Sequence, residues 1–467
     1  MPHFQITLDV DDWASEQFGE CQLGDQRRTK RLVRIAAQAA QRPDGSTPDQ
    51  AENWADLKAT YRLFDSDKVS FRAIIEPHLK HTTERLSGVT LMVSDTTELE
   101  FGCHRDVPGL GPTGDGVGRG FLFHSTVAVD RACGEIMGLA EQHLFCRQAA
   151  PKKETRAQRV KRDRESQIWG ESVSRLQTAP KGVVFRYVFD RAGDNFETFC
   201  QLRQQQAQWV IRAAQTHRVV LDFQGQRRSL DELIADQPSV DTYGVKLQKQ
   251  KGQPPRRVQV ELRYVTLQMP RPHVASPLVR ESGIQQIPMS AVEVRTVDHS
   301  EKDGPIRWML LTSDAISSTE QAKQVVSDYQ KRWVVEEYHK ALKTGCRIES
   351  RQYETGERLQ RVIGVLSIVG VRLLQLRAHA RMSPDRPAIE VVPADWVKIL
   401  PQARHRGRAR TSSEPMTVQA FYRSLAQLGG FIGRKRDGEP GWITIWRGFE
   451  KLQLILRGVQ LERSKCG

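Results

Sequence analysis

The chain has 467 residues, 39% of them hydrophobic, and carries 70 Lys and Arg against 56 Asp and Glu. That length exceeds one ordinary core and predicts about two to four domains. A formal net charge of +14 favours a polyanionic partner, nucleic acid first, and no basic amphipathic stretch suggests membrane anchoring instead.

The opening MPHFQITLDVDDW has no basic stretch leading into an apolar run, so a secretory signal is not expected and a cytoplasmic compartment is. Residues 23–41 (LGDQRRTKRLVRIAAQAAQ) and 51–64 (AENWADLKATYRLF) read as helices separated by the breaker RPDGSTPD. Their outward arginines suit phosphate contacts. From 88 the pattern becomes α/β. GVTLMVSDTT (88–97), GFLFHSTVAVD (120–130), EIMGLAEQHLF (135–145) and GVVFRYVFDRAGD (182–194) predict strands, the first ending at Asp95 and the last at Asp190. His124, inside a strand, reads as structural. Residues 256–269 and 291–298 alternate apolar with polar residues, as half-buried antiparallel strands do, and IRWMLLTSD (306–314) completes this β-rich stretch.

A helix then follows. Ser317 and Glu320 form a predicted capping box, Val325, Val326, Trp333, Val334 and Leu342 a predicted apolar face, and Gly345 a left-handed stop. On one continuous helix Tyr329, Arg332, Glu336 and Lys343 would fall within roughly 60° of each other. They would form a polar stripe about 21 Å long, too long for a small-molecule pocket and suited to a nucleic-acid strand. The run 362–376 is shorter than a membrane span and interrupted by Arg372, so it reads as a core helix. Helical segments such as VQAFYRSLAQLGG and WITIWRGFEKLQLILRGVQLE close the chain, after the Pro- and Arg-rich SPDRPAIEVVPADW and RHRGRARTSSEP. Seven scattered cysteines (21, 103, 133, 146, 200, 346 and 466) include no Cys-x-x-Cys, and are expected to be packing residues in a reducing compartment.

Two strand-end aspartates and a helical glutamate, Asp95, Asp190 and Glu336, have the composition of a two-metal phosphoryl-transfer site. Their hard oxygens suit two Mg²⁺ ions, with Mn²⁺ as substitute. GLGPTG (109–114) matches a dinucleotide fingerprint only formally, because Pro112 interrupts it and no helix follows. Trp308, on the strand before the helix, is open to two readings: core packing, or a stacking surface for an extruded base.

The Tyr-x-x-Arg-x-x-x-Glu-x-x-x-x-x-x-Lys spacing, SDTT, FDRAGD, LGDQRRTKRLV, ATYRLFDSDKVS, VGVRLLQLR and LGGFIGRKRDGEPGWITIWRGFEKLQ together resemble the DDE transposases of the insertion-sequence-four family. The resemblance implies an α/β, RNase H-like catalytic core over 76–380 with a β-rich insertion at about 200–312. It also implies a helical DNA-binding domain over 1–75 and a helical dimerisation domain over 381–467. The implied activity is cut-and-paste transposition of double-stranded DNA by a homodimer in a synaptic complex, with no membrane partner. Asp95, Asp190 and Glu336 are implied as the metal-binding triad, and Tyr329, Arg332 and Lys343 as phosphate contacts. Trp308 is implied as the base-stacking residue, and Arg212, Arg28, Arg31 and Arg62 as further DNA contacts. Phe196 stands where a close relative has histidine. Two other readings fit the residues: an RNase H-like nuclease without strand transfer, and an inactive end-binding inhibitor.

Overall fold

The structure is a computed structural model that describes residues 9–102, 107–148, 151, 153–176, 178–247, 256–297, 306–382, 384–404, 415–434 and 437–463. Cys103, Cys466 and most of the RHRGRARTSSEP segment lie outside these residues.

Five helices come first: α1 (Val10–Phe18), α2 (Gln26–Gln41), the single turn α3 (Thr47–Gln50), α4 (Trp54–Phe64) and α5 (Phe71–Glu84). Asp25, Asn53 and Ser70 start α2, α4 and α5 by accepting a backbone amide in the first turn. The two predicted helices thus form as α2 and α4.

A mixed sheet follows, built from β1 (Gly88–Glu100), β2 (Gly111–Thr113), β3 (Gly118–Asp130), β4 (Ile136–Phe145), β5 (Val183–Phe189) and β6 (Gln208–Arg212), then β7 (Val219–Leu221), β8 (Arg227–Ser229), β9 (Asp241–Leu247), β10 (Arg256–Pro270), β11 (Gln286–Thr296) and β12 (Arg307–Thr312). Strands β4, β3, β1, β5 and β6 are neighbours in that order. β3 is antiparallel to β1, while β5 and β6 run parallel to it. This is the RNase H-like core. The β-rich stretch after β6 extends the same sheet through antiparallel pairs of β12, β11 and β10. GPT of the GLGPTG motif is the short strand β2, with no dinucleotide-binding helix after it.

Period-two alternation sends successive residues to opposite faces. Leu91 and Val93 of β1 enter one core while Met92 enters the other. The second face is covered by α7 (Ile168–Arg175) and α8 (Phe196–Gln204), which follow the short α6 (Arg156–Arg159); α9 (Leu230–Ala235) and α10 (Pro277–Glu281) add to it further along. The first face carries α11 (Thr319–Gln330), α12 (Trp333–Lys340) and α13 (Gly356–Met382). Residues of α1 and α2, including Trp13, Phe18, Leu32 and Ile35, belong to this same core. Helix α13 is long and apolar enough to cross a membrane, but it is packed inside the protein. Arg372, the charge that interrupts it, is fully buried with its guanidinium 4.9 Å from the Trp13 ring. A third core joins α14 (Ala394–Arg404), α15 (Val418–Leu428) and α16 (Trp442–Arg463).

Several expectations need correction. The capping box is Ser318 with Gln321, not Ser317 with Glu320. The expected continuous helix breaks at Lys331–Arg332, where Val334 and Val335 bond back only three residues. The break follows Asp328, whose buried carboxylate is held by Arg131 and Arg186 from the sheet. Trp333, expected in the apolar face, is 59% exposed. After α12 the chain widens into a π turn, Ala341–Gly345, so the four motif residues do not share one straight line. Gly345 is not the left-handed residue; Arg347 is, with φ 46°. Gly345 is required for close packing instead, since a Cβ there would stand 2.9 Å from Leu373 and 3.0 Å from Trp442. Finally, Cys133 is exposed rather than packed.

Candidate active site

The last rung of the parallel β1–β5 ladder is Val93 against Val188. Asp95 and Asp190 each follow it by two residues. They therefore stand side by side beyond the C-terminal end of the parallel pair, where open α/β sheets hold their sites. Asp190 follows the end of β5, and its carboxylate caps the turn Arg191–Gly193 through the Ala192 amide. Asp95 is not at a strand end, in contrast to the sequence reading. β1 runs on to Glu100, with Asp95 opposite Ser125 of β3. The antiparallel partner continues where the parallel one stops, which local pattern could not reveal.

The residues flanking Asp95 point to the opposite face and are tied to β3. Ser94 Oγ lies 2.8 Å from Thr126 Oγ1, and Thr96 Oγ1 lies 2.8 Å from His124 Nδ1. His124 is buried edge-on to Trp169, and burial pushes its imidazole down to about 3, so it is neutral. This agrees with its reading as structural. The loop after Asp190 is anchored by Asp194, which accepts the Ala214 amide at 2.6 Å and pairs with Arg218. None of these anchors was legible in the motifs. Arg186, a charge within the apolar run GVVFRYVFD, was the one visible signal. It joins Asp328 at 3.0 Å and Asp314 at 2.9 Å.

Glu336 lies in the first turn of α12, which seats on β1 and β3. Val335, Tyr338 and Leu342 are buried beneath it, and Gln142 donates to the Tyr338 hydroxyl at 2.7 Å. Arg332 connects the acidic residues. Its Nη1 is 3.5 Å from Asp95 Oδ2, and its Nη2 donates to Glu336 Oε1. Burial pushes the Asp95 carboxyl up to about 6, helped by the negative charges of Asp190 and Glu336; the Thr96 amide and Arg332 work the other way.

Among the described residues no three Asp, Glu, His or Cys side chains form a ready metal-binding group. The donor set nevertheless suits a hard dication. Asp95, Asp190 and Glu336 offer carboxylate oxygens alone, and the like charges of Asp190 and Glu336 add to burial in raising the Asp95 carboxyl.

The remaining residues of interest fall into two groups. Tyr329 is 5% exposed, its ring edge-on to half-buried Trp308 at 5.4 Å. It is thus not on an open stripe. The Arg212 guanidinium, whose charge acts on the Tyr329 hydroxyl, donates to the Arg307 carbonyl at 3.2 Å. Lys343 is 3.1 Å from Glu349. In the N-terminal helices Arg28 donates to the Leu23 carbonyl at 2.9 Å, Arg31 pairs with buried Asp56, and Arg62 is exposed on α4.

Family models match three successive stretches of the chain. Transposase DNA-binding covers residues 10–69, Transposase DDE domain covers 165–369, and Transposase Tn5 dimerisation domain covers 409–467. Asp190 and Glu336 fall within the second stretch, and Asp95 precedes it. With DNA-binding, DDE and dimerisation regions in this order around an RNase H-like sheet, the chain belongs to the DDE transposases and is Tn5-like in organisation.

Proposed function

We propose that this transposase cuts and pastes DNA through Asp95, Asp190 and Glu336. The observation that carries the reading is the juxtaposition of Asp95 and Asp190 past the Val93–Val188 rung, with Glu336 linked to Asp95 through Arg332. The three carboxylates would hold divalent cations, two Mg²⁺ in this reading. Such ions supply Lewis-acid activation of the attacking oxygen and stabilisation of the leaving one.

Hydrolysis nicks one strand at the element's end and leaves a 3′-hydroxyl. That hydroxyl attacks the opposite strand, releasing flanking DNA and closing a hairpin. A second hydrolysis opens the hairpin, and the freed 3′-hydroxyl attacks target DNA. Arg332 and Lys343 neutralise phosphates along the strand, and the Tyr329 hydroxyl donates to one of them. Arg212 orients that hydroxyl. Trp308, beside it, stacks the base that the hairpin forces out. Arg28, Arg31 and Arg62 belong to the end-binding domain over 1–75. The catalytic core spans 76–380, with its insertion at about 200–312, and 381–467 joins the two protomers of the synaptic complex. The compartment is the bacterial cytoplasm, where the DNA lies.

Separate Asp95→Ala, Asp190→Ala and Glu336→Ala variants test this. End binding should survive in a mobility-shift assay while metal-dependent nicking is lost; nicking by any of them removes that residue from the triad. Supplying pre-nicked ends with target DNA separates the transposase from a plain nuclease, which would join nothing.

A further inference from the structure

We propose that Arg332 is the counter-ion that keeps divalent cations out of the carboxylate site until DNA binds, and that a phosphate of the DNA end opens the site by drawing the guanidinium away. The inference rests on the reading of Asp95, Asp190 and Glu336 as metal-binding carboxylates.

Arg332 engages one oxygen on each of two of the three carboxylates a metal would need. Its side chain is only 12% exposed, and it faces Asp95 Oδ2 at 3.5 Å while donating to Glu336 Oε1. A guanidinium does not lose its proton in a protein. A dication entering here would meet a fixed positive charge and two carboxylates already engaged.

The arginine also has a way out. It sits at the junction of α11 and α12, outside regular helical bonding. Its guanidinium carbon is 6.0 Å from the Tyr329 ring centre and 5.5 Å from that of Trp333. The Trp333 ring is 59% exposed, so a cation-attracting aromatic surface leads from the carboxylates to solvent. A phosphate arriving there offers the same fork of oxygens that Arg332 now finds in its own chain. Lys343 is likewise paired internally, with Glu349 at 3.1 Å. Arg332 and Lys343 are therefore neutralised by the protein's own carboxylates, and binding DNA frees Asp95 and Glu336 for metal. Metal and DNA must then strengthen each other's binding by the same factor.

The test is direct Mn²⁺ binding to the full chain, read by electron paramagnetic resonance of the free ion. Protein without DNA is compared with protein on a duplex carrying the pre-cleaved terminal repeat that flanks its gene. Without DNA, Arg332→Gln should bind Mn²⁺ on the order of tenfold more tightly than wild type, a usual size for coupled sites. DNA should raise the wild-type affinity by a similar factor and leave that of the variant unchanged. Arg332→Lys, which keeps the charge but cannot span both carboxylates, should fall between them and serves if the glutamine variant melts early. Equal or weaker Mn²⁺ binding by DNA-free Arg332→Gln, relative to wild type, overturns the gate. Glu336→Gln distinguishes the two failures. If it leaves Mn²⁺ binding on DNA untouched, the carboxylate reading fails with the gate; if it lowers that binding while Arg332 has no effect, the gate alone is wrong.

Discussion

Arg186 and Asp328 are joined by a 3.0 Å ion pair in which the carboxylate is completely buried. Arg186 belongs to β5, four residues before Asp190, and Asp328 lies in α11, just before the break that presents Arg332. Arg131, from the turn between β3 and β4, donates to the same carboxylate at 2.9 Å. One buried node thus joins the strand carrying Asp190 to the junction carrying Arg332.

Removing this acid should be costly. Asp328→Ala leaves Arg186 buried beside no counter-charge except Asp314. Breaking such a pair typically costs about 3–5 kcal/mol, and we expect a loss of that order in urea unfolding. A change under about 1 kcal/mol would mean that the node carries little stability.

Stability should also depend on buried neutral histidines. Burial pushes His78 down to about 3; its Nδ1 contacts Gln17, and its Nε2 accepts the Leu139 amide at 3.0 Å. A folded-state value below the unfolded 6.5 means that the unfolded chain takes up more protons between those limits. The stabilisation is therefore complete above about pH 6.5 and is lost as pH falls towards 3. His78→Gln should reduce the slope of unfolding free energy by up to about 1.4 kcal/mol per pH unit over this window. An unaltered slope in denaturant titrations between pH 6 and 4 would exclude it.

The C-terminal hairpin depends on backbone contact. A Cβ on Gly448 would lie 1.7 Å from the Leu425 carbonyl oxygen, and one on Gly429 would lie 2.0 Å from that of Thr444. Gly448→Ala must force α15 and α16 apart, at a cost of about 1–3 kcal/mol or more. Faster proteolysis of the C-terminal region, together with weaker pairing of DNA ends, is the expected outcome; wild-type resistance would show that the helices can adjust.

Arg62 and Arg31 should respond differently to removal. Exposed Arg62 has no ion pair among the described residues, so Arg62→Ala should lower the salt slope of DNA binding by about 0.9 without changing stability. Arg31 pairs with Asp56, whose side chain is 3% exposed. Arg31→Ala should lower the melting temperature as well as DNA affinity. Paired salt titrations and thermal melts would show any reversal.

The sequence by itself determined most of the elements and the family. Strands β1, β3, β4 and β5 announce themselves through short apolar runs, β10 and β11 through alternation, and α2 and α4 through helical periodicity between breakers. These are local patterns, and local sterics and burial suffice to specify them. Tertiary structure decided what those elements do together. Nothing near Asp95 in sequence says that β3 carries its strand five residues further, because strand pairing is a long-range contact. Nothing near Tyr329 says that its helix breaks, because the break follows a carboxylate held by one arginine from β5 and another from the turn after β3. The motif spacing selected Arg332 and Glu336 as partners on one helix face. Only the packing of α12 against β1 brought Asp95 to the same guanidinium.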